Sequence, residues 1–296
     1  MAEQDPTASV FEEQRSYLFS IAYRLLGSVS DAEDIVQDAF LRWDREPLPD
    51  LRSPRAYLTT IVVRLCLDQL RSARAKREIY VGPWLPEPLI TTGRTDLTDS
   101  LVLRESLSFA FLLMLENLSP LERAVFVLRE VFDYDYPEIA LSVDKSEANC
   151  RQVFHRARQR LAQRQSRFEA TREQTEQITR EFMRATTNGD VQDLLRLLAE
   201  DVVAISDGGG KAFAALRPVH SRENVSRGVL GSFSKAPPDS VRMVEVNGQP
   251  AIVATRGGEP RGVLLLDVKA GKVQALYAVV NPDKLRSVTT SAETGR

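Results

Sequence analysis

The segment spanning residues 136–161, YPEIALSVDKSEANCRQVFHRARQRL, leaves the chain little choice of local fold. Pro137 suits the first turn of a short helix carrying Ile139, Ala140 and Val143, residues 143–145 break it, and Ser146 caps the helix that follows. At about 100° per residue, Cys150, Val153, Phe154, Ala157 and Leu161 share one apolar face. The opposite face shows Ala148, Gln152, His155 and Gln159, flanked by Asn149, Arg151 and Arg156. Two short helices joined by a tight break, the second apolar on one side and polar on the other, describe a helix-turn-helix. Amide and guanidinium groups of this kind read base edges in a major groove, while flanking arginines neutralise phosphates. Residues 145–167 hold seven Lys or Arg against the single acid Glu147, net +6 in a chain whose total is -2. The competing reading is an amphipathic surface helix with a solvated basic face, which has the same periodicity.

At 296 residues the chain exceeds the usual single domain, so two or three domains are expected. Its 43% hydrophobic and 27% charged residues are ordinary globular composition. Cys66 and Cys150 are its two cysteines and His155 and His220 its two histidines, which argues against a disulfide framework and a Cys/His metal site. No cofactor is expected. The sequence shows neither a basic start followed by an apolar run nor a stretch near the roughly 20 apolar residues of a membrane span. A cytoplasmic protein with no membrane partner is the expectation.

Residues 11–78 read as helical. Ser30 and Glu33 form a capping box before Ala32, Ile35, Val36, Ala39, Phe40 and Trp43, and a proline-containing loop at 46–50 stops that helix. Ser53 and Pro54 start another, with Leu58, Ile61, Val62, Leu65 and Cys66 facing inward and a basic end at Arg71, Arg74, Lys76 and Arg77. Pro83, Pro86 and Pro88 exclude a helix from the GPWLPEPL run at 82–89 and favour an extended, stiff connector. A helical block at about 101–167 follows, with a strong start at Ser119, Pro120 and Glu122. Beyond residue 172 come helices at 173–187, 191–198 and 222–233, and β-type runs at 202–206, 241–246, 251–255, 262–268 and 273–280. Asn247-Gly248 and Ala270-Gly271 supply hairpin turns, so an antiparallel set of strands and an α+β domain are expected.

The runs DAEDIVQDAFLRW (31–43), SPRAYLTTIVVRLCLDQLRS (53–72) and LSPLERAVFVLREVFDYDYPEIA (118–140), leading into the second helix of the motif, resemble the extracytoplasmic-function σ factors. They stand in that family's order over more than half of the chain. WLPEPL (84–89), DGGGK (207–211) and NPDKL (281–285) narrow the resemblance to the SigJ-type subgroup with a SnoaL-like extension. The resemblance implies a multidomain protein: two all-α σ-factor domains, σ2 and σ4 with its helix-turn-helix, followed by an α+β SnoaL/NTF2-like cone. The corresponding division is σ2 at 1–80, a linker with WLPEPL at 81–100, σ4 at 101–169, the SnoaL-like domain at 172–290 and a tail at 291–296.

By the same resemblance the partners are core RNA polymerase, through its β′ coiled coil and β flap, and promoter DNA. Asp31, Asp34, Gln37 and Asp38 would dock on the polymerase, although an acidic helix start also suits the macrodipole without any partner. Arg64, Asp68, Arg71, Arg74, Lys76 and Arg77 would hold the opened -10 element, the basic ones neutralising its backbone. Arg64 stands where many family members have asparagine, so their base preference does not carry over. The loop at 46–52 is a further candidate for gripping a flipped base. Asn149, Arg151, Gln152, His155 and Arg156 would read the -35 element.

SnoaL-like relatives include enzymes with an Asp or His acid-base group, but here only Asp207 stands beside the glycine run, and His220 has no evident carboxylate partner. Three glycines without a GKS/T or a strand-GxGxxG context fit a tight turn, not a phosphate cradle. No catalytic residue is therefore assigned. Trp84, Leu85, Pro86, Glu87 and Pro88 are expected to pack near Asp207, Gly208, Gly209, Gly210 and Lys211 and near Asn281, Pro282, Asp283, Lys284 and Leu285, as a regulatory interdomain device. An unidentified small ligand in the SnoaL-like pocket is compatible with this. The expected function is promoter-specific transcription initiation, not catalysis. A helix-turn-helix regulator that never enters polymerase, or a ligand-processing enzyme fused to a DNA-binding module, are the alternatives.

Overall fold

A computed structural model describes residues 6–45, 53–77, 80–93, 97, 100–162 and 170–288. They fall into two compact units, one drawn from Met1–Glu78, Arg94–Leu107 and Phe111–Gln165, the other from Ile79–Gly93, Ser108–Ala110 and Ser166–Arg296. Among the described residues no helix is long and apolar enough to cross a membrane.

The first unit is helical. Its elements are α1 (Pro6–Leu26), α2 (Val29–Arg45), α3 (Pro54–Arg77), α4 (Leu101–Glu105), α5 (Phe109–Leu115, from Phe111 onward in this unit), α6 (Pro120–Phe126), α7 (Tyr136–Val143) and α8 (Glu147–Ala162). Helix α2 starts earlier than expected: Ser28 Oγ accepts the Asp31 amide at 3.2 Å, and Glu33 pairs with Arg15 at 3.0 Å. The expected Ser30 capping box is thus replaced by a Ser28 cap, because Val29 and Ser30 already lie in the first turn. Ser53 caps α3 as expected, accepting the Ala56 amide at 3.2 Å. The expected proline loop at 46–52 lies outside the described residues.

Helix α3 is buried on more of its circumference than one amphipathic stripe provides. Val63 is fully buried and Ile61 only half-buried, the reverse of the expected order. The reason is that α3 packs against α1 and α2 on one side and α7 on the other. That second contact is polar. Tyr134 Oη lies 2.9 Å from both Tyr17 Oη and Thr59 Oγ1, Thr60 Oγ1 lies 3.2 Å from Ser142 Oγ, and Arg64 donates to the Leu141 carbonyl at 2.9 Å. Helix α6 continues into a π turn over Val127–Val131, where the Phe132 amide reaches back five residues to Val127 at 3.3 Å.

Arg24 of α1 is wholly buried and binds the segment that precedes α5. Its Nε donates to Ser106 Oγ at 2.7 Å, and Nη2 donates to the carbonyls of Leu103 at 2.7 Å and Leu97 at 3.3 Å. Burial pulls the Arg24 pKa below the ordinary guanidinium value.

The second unit sets α9 (Arg172–Asn188), α10 (Val191–Leu197) and α11 (Arg222–Lys235) against a six-stranded sheet. Its strands are β1 (Leu198–Asp207), β2 (Val219–His220), β3 (Ser240–Val246), β4 (Gln249–Arg256), β5 (Glu259–Lys269) and β6 (Lys272–Val279), in the order β2-β1-β6-β5-β4-β3. The expectation of a wholly antiparallel set is corrected by β1, which runs parallel to β6. The hairpin signals at 247–248 and 270–271 are turns with positive φ, and Gly257-Gly258 makes a third. Phe182, Leu194, Val202, Val225, Leu266 and Leu276 close the core between helices and sheet.

The connector joins this unit as an added edge. Ile90 bridges Val246 antiparallel, the Thr91 amide donates to the Glu245 carbonyl at 3.0 Å, and the Asn247 amide donates to the Leu89 carbonyl at 2.8 Å. An otherwise open β3 edge is thereby partly covered.

Replacing Arg24 with methionine removes the donors that serve Ser106 and two interior carbonyls, so Arg24→Met should cost the helical unit about 2–4 kcal/mol. Urea unfolding followed by helical circular dichroism measures this, and a loss below about 1 kcal/mol would mean that these acceptors find other donors.

Candidate functional site

The recognition motif is built from caps outward. Asp135 and Glu138 form a capping box on α7, and Asp144 ends that helix in the left-handed conformation with φ 53°. Ser146 Oγ accepts the Asn149 amide at 3.3 Å and starts α8. Cys150, Val153, Ala157 and Leu161 are buried, and Phe154 stacks on Phe126 with ring centroids 6.0 Å apart. Asn149, Arg151, Gln152, His155 and Arg156 are all exposed on the other side. Arg151 is held at the start of the helix, its guanidinium 4.4 Å from the Tyr136 ring centroid and 3.4 Å from Glu147. His155 Nε2 lies 3.0 Å from Gln159 Nε2. Arg160 reaches the capping carboxylate of Glu122 at 2.7 Å, which ties α8 to the start of α6. Tyr136 and Glu122 carried no sequence signal for these second roles.

On α2, Asp34, Gln37 and Asp38 are exposed, and Leu41, 44% exposed, continues their row one turn on. Asp31 is half-buried and accepts from Gln69 at 3.2 Å, so it stands apart from that row. Trp43 is core. On α3, Asp68 and Arg71 form an exposed pair at 3.0 Å, and Arg64 is occupied with the Leu141 carbonyl. The side chains of Arg74, Lys76 and Arg77 lie outside the described residues.

The three short signatures meet in the second unit around the carboxylate of Asp207. Asp207 is completely buried. Its Oδ1 accepts from Tyr80 Oη at 2.6 Å, and its Oδ2 accepts from the Leu85 amide at 2.8 Å and Lys284 Nζ at 2.7 Å. Lys284 also donates to the Leu85 carbonyl and stands 4.3 Å from the Trp84 ring centroid and 5.1 Å from that of Tyr80. Asn281 donates to Tyr80 Oη at 2.9 Å, Lys211 pairs with Asp283, and Ser287 Oγ donates to the Pro88 carbonyl at 2.9 Å. Leu85, Pro86, Glu87 and Pro88 are buried, as are Gly208, Asn281 and Leu285, while Trp84 is half-buried and Gly210, Pro282 and Asp283 are exposed.

Burial first, and then the bond to Asp207, raise the Tyr80 pKa, so the phenol stays a proton donor. The hydrogen bond from Lys211 depresses that of Asp283. The glycine run meets a steric demand. A Cβ on Gly209, whose φ is +57°, would lie 2.2 Å from Asn281 Nδ2, and one on Gly208 would lie 2.4 Å from the Ala212 carbonyl oxygen. Tyr80 and Ser287 belong to this constellation, yet nothing local marks them. His220, the other polar candidate, sits exposed on β2.

A helix-turn-helix whose second helix exposes a basic, polar face, in one unit with a helix that exposes an acidic row, is the pattern of a class of transcription factor, and comparison with known proteins places the chain within it. Residues 10–76 match the family model for Sigma-70 region 2, and residues 108–161 match that for Sigma-70, region 4. The ECF RNA polymerase sigma factor SigJ of Mycobacterium tuberculosis is 39% identical, with 93% of this chain and 92% of that protein covered. The probable ECF RNA polymerase sigma factor SigI of the same species is 34% identical, covering 96% and 97%. The crystal structure of Mycobacterium tuberculosis SigJ superposes with TM-score 0.76 at 36% identity, covering 95% of this chain and 98% of that one. The chain belongs to the extracytoplasmic-function σ factors, which initiate transcription and are not enzymes. Its partners by class are RNA polymerase and promoter DNA.

Gly209→Ala should push the connector off the aspartate and cost about 1–3 kcal/mol, because it adds both a backbone penalty and a clash. Gly231→Ala, on α11 with nothing within 4 Å of the added Cβ, should be neutral or slightly stabilising. In a Trp43→Phe background Trp84 is the single tryptophan. Its emission should move to the red in Gly209→Ala and stay put in Gly231→Ala, and equal spectra would remove the steric argument.

Proposed function

We propose that α8 reads the -35 element through Arg151, Gln152 and Arg156, assisted by Asn149 and His155. The observation that carries this is the division of α8 into a buried apolar face and an exposed row of amide and guanidinium groups, with Arg151 pre-positioned on Tyr136. Arg64, Asp68, Arg71, Arg74, Lys76 and Arg77 serve the -10 element. Arg64 must first leave the Leu141 carbonyl, an exchange that water makes inexpensive at an exposed site. The row Asp34, Gln37 and Asp38 docks on the β′ coiled coil, with Asp31 contributing through Gln69 to its support. The helical region around the reading motif meets the β flap.

The functional division that goes with this is σ2 at 1–80, a connector at 81–100, σ4 at 101–169, a regulatory domain at 172–290 and a tail at 291–296, working in the cytoplasm beside core polymerase. The regulatory reading of the carboxy-terminal domain is supported by the way Asp207 holds the same connector that links the two σ regions in sequence. A small molecule in the cavity of that domain would complete the set of partners.

Run-off transcription with purified core polymerase is the direct test, and a chain that bound promoter DNA but supported no initiation would be a plain regulator. Arg151→Ala and Arg156→Ala should each lose about 1–3 kcal/mol of discrimination between the cognate -35 element and a scrambled one. Lys76→Ala and Arg77→Ala should weaken all sequences alike and lower the salt slope by roughly one each. If both recognition-helix variants kept full discrimination in a competition binding assay, α8 would not be the reading element.

Charge reversal at the acidic row checks the docking surface. Asp34→Lys with Asp38→Lys should reduce copurification with core polymerase at least about tenfold, as like charges replace complementary ones, while the melting temperature stays within a few degrees. Unchanged copurification would leave these aspartates as solvated surface.

A further inference from the structure

The chain contains two asparagine-glycine steps, Asn188-Gly189 and Asn247-Gly248. Such steps carry a chemistry of their own. The glycine nitrogen, unhindered by any side chain on its own residue, can attack the asparagine side-chain carbonyl and close a five-membered imide. The structure treats the two steps differently. Asn188 and Gly189 stand exposed where α9 ends, whereas Asn247 and Gly248 are buried in the turn between β3 and β4, with φ of 53° and 72°.

The connector is what engages the second step. Asn247 Oδ1 accepts the Leu89 amide at 2.9 Å, the Asn247 amide donates to the Leu89 carbonyl at 2.8 Å, and the Gly248 amide donates to Thr91 Oγ1 at 3.0 Å. Thr91 is fixed in turn: its hydroxyl donates to Glu245 Oε1 and its amide to the Glu245 carbonyl, each at 3.0 Å. Arg172 pairs with the same carboxylate. Leu89, Thr91 and Asn247 are all buried. This is an anchor for the connector made of amides and a hydroxyl, separate from the charged one at Asp207.

Both partners of the ring closure are therefore held. The nitrogen that would attack keeps its hydrogen on Thr91, and the carbonyl it would attack is bonded through its oxygen to Leu89. The turn itself is closed by the Val246–Gln249 pair. Forming the imide would break both connector bonds, so it must wait for local opening.

We propose that Asn247-Gly248 is a self-modification site guarded by the connector, and that its conversion follows connector release and makes that release permanent. The Gly248 nitrogen bonds to Asn247 Cγ, the Cγ–Nδ2 bond breaks, and the displaced proton leaves with the side-chain nitrogen as ammonia. Water then opens the imide at either carbonyl and returns a proton to the ring nitrogen, leaving aspartate or isoaspartate. Water is the sole co-reactant. Neither product suits the turn. Aspartate places a charge in a site closed to solvent, and isoaspartate adds a main-chain carbon to a turn whose two residues both hold positive φ. The permanent-release meaning rests on the regulatory reading above, whereas the guarded chemistry does not.

Peptide mapping by mass spectrometry, after incubation of the full chain at neutral pH in water enriched in heavy oxygen, follows both steps in one digest. In native buffer Asn247 should convert at least about tenfold more slowly than in urea. Thr91→Val, which removes the partner of the Gly248 amide, and Lys284→Met, which loosens the connector at its Asp207 end, should each speed native conversion of Asn247 about fivefold. Asn188 should respond to neither variant, with folding checked by circular dichroism. Native conversion of Asn247 as fast as in urea, or a rate unchanged by both variants, would overturn the proposal. A rise shared equally by Asn188 would trace conversion to global unfolding and overturn the guard as well. Run-off transcription from aged, converted chain keeps the two readings apart. Guarded conversion that leaves transcription unaltered removes the regulatory reading and keeps the site, and unguarded conversion removes the site and leaves that reading standing.

Discussion

A single carboxylate organises the second unit. Asp207 sits wholly out of solvent, where an unpaired charge would be forbidding, so its oxygens must be met by donors that cannot easily leave. Three donors come from two stretches far apart in the chain: a phenol and a backbone amide on the connector, and an ammonium on the 3₁₀ turn Pro282–Leu285. Because Asp207 is the last residue of β1, these bonds fix where that strand ends. The amides of Val280 and Asn281 then close on the Asp207 carbonyl at 2.9 Å each, which completes the parallel seam with β6. The glycines that follow are small because Asn281 and Val81 come so near. A charge pair sealed this way is also shielded from salt, unlike the exposed Lys211–Asp283 contact beside it.

Much of this was legible along the chain, and the limits follow from range. The recognition motif announced itself because its signals are local: a cap at Ser146, a left-handed break at Asp144 and a helical stripe through Cys150, Val153 and Leu161. The hairpin turns at 247–248 and 270–271 were readable for the same reason. The parallel pairing of β1 with β6 was not, since it joins segments about 70 residues apart that carry no mutual mark. Ser30 has capping-box spacing to Glu33, but the helix begins two residues earlier, behind the Ser28 cap, and Glu33 pairs with Arg15. For the aspartate site, the residue types were visible in three short runs, while Tyr80 and Ser287 enter it only through tertiary geometry. Thr186 is indistinguishable in sequence from Thr179 and Thr187 in the same helix. Only the structure separates a paired hydroxyl from an orphan.

The first unit holds together by two kinds of contact with different tolerance for opening. Arg24 and Arg123 are buried anchors: Arg24 serves interior carbonyls and Ser106, and Arg123 bonds the Leu25 carbonyl at 2.8 Å and Glu116 at 2.8 Å. The seam between α3 and α7 is made instead of hydroxyls and one arginine-to-carbonyl bond, groups that water can satisfy almost as well. Arg64, one of the residues expected on nucleic acid, therefore belongs to the joint whose bonds water can replace.

The order in which the aspartate site is assembled has a consequence for the newly made protein. The connector's Leu85 and its closing partner Lys284 are separated by 199 residues. At the usual pace of synthesis, about 5–20 residues per second, that interval lasts roughly 10–40 s. In the later part of it, once α8 is complete at Ala162, the helices of the first unit have been made while Lys284, the ammonium that Asp207 needs, has not. Every chain thus passes through a brief youth in which α8 exists and the bond from Lys284 to the connector does not.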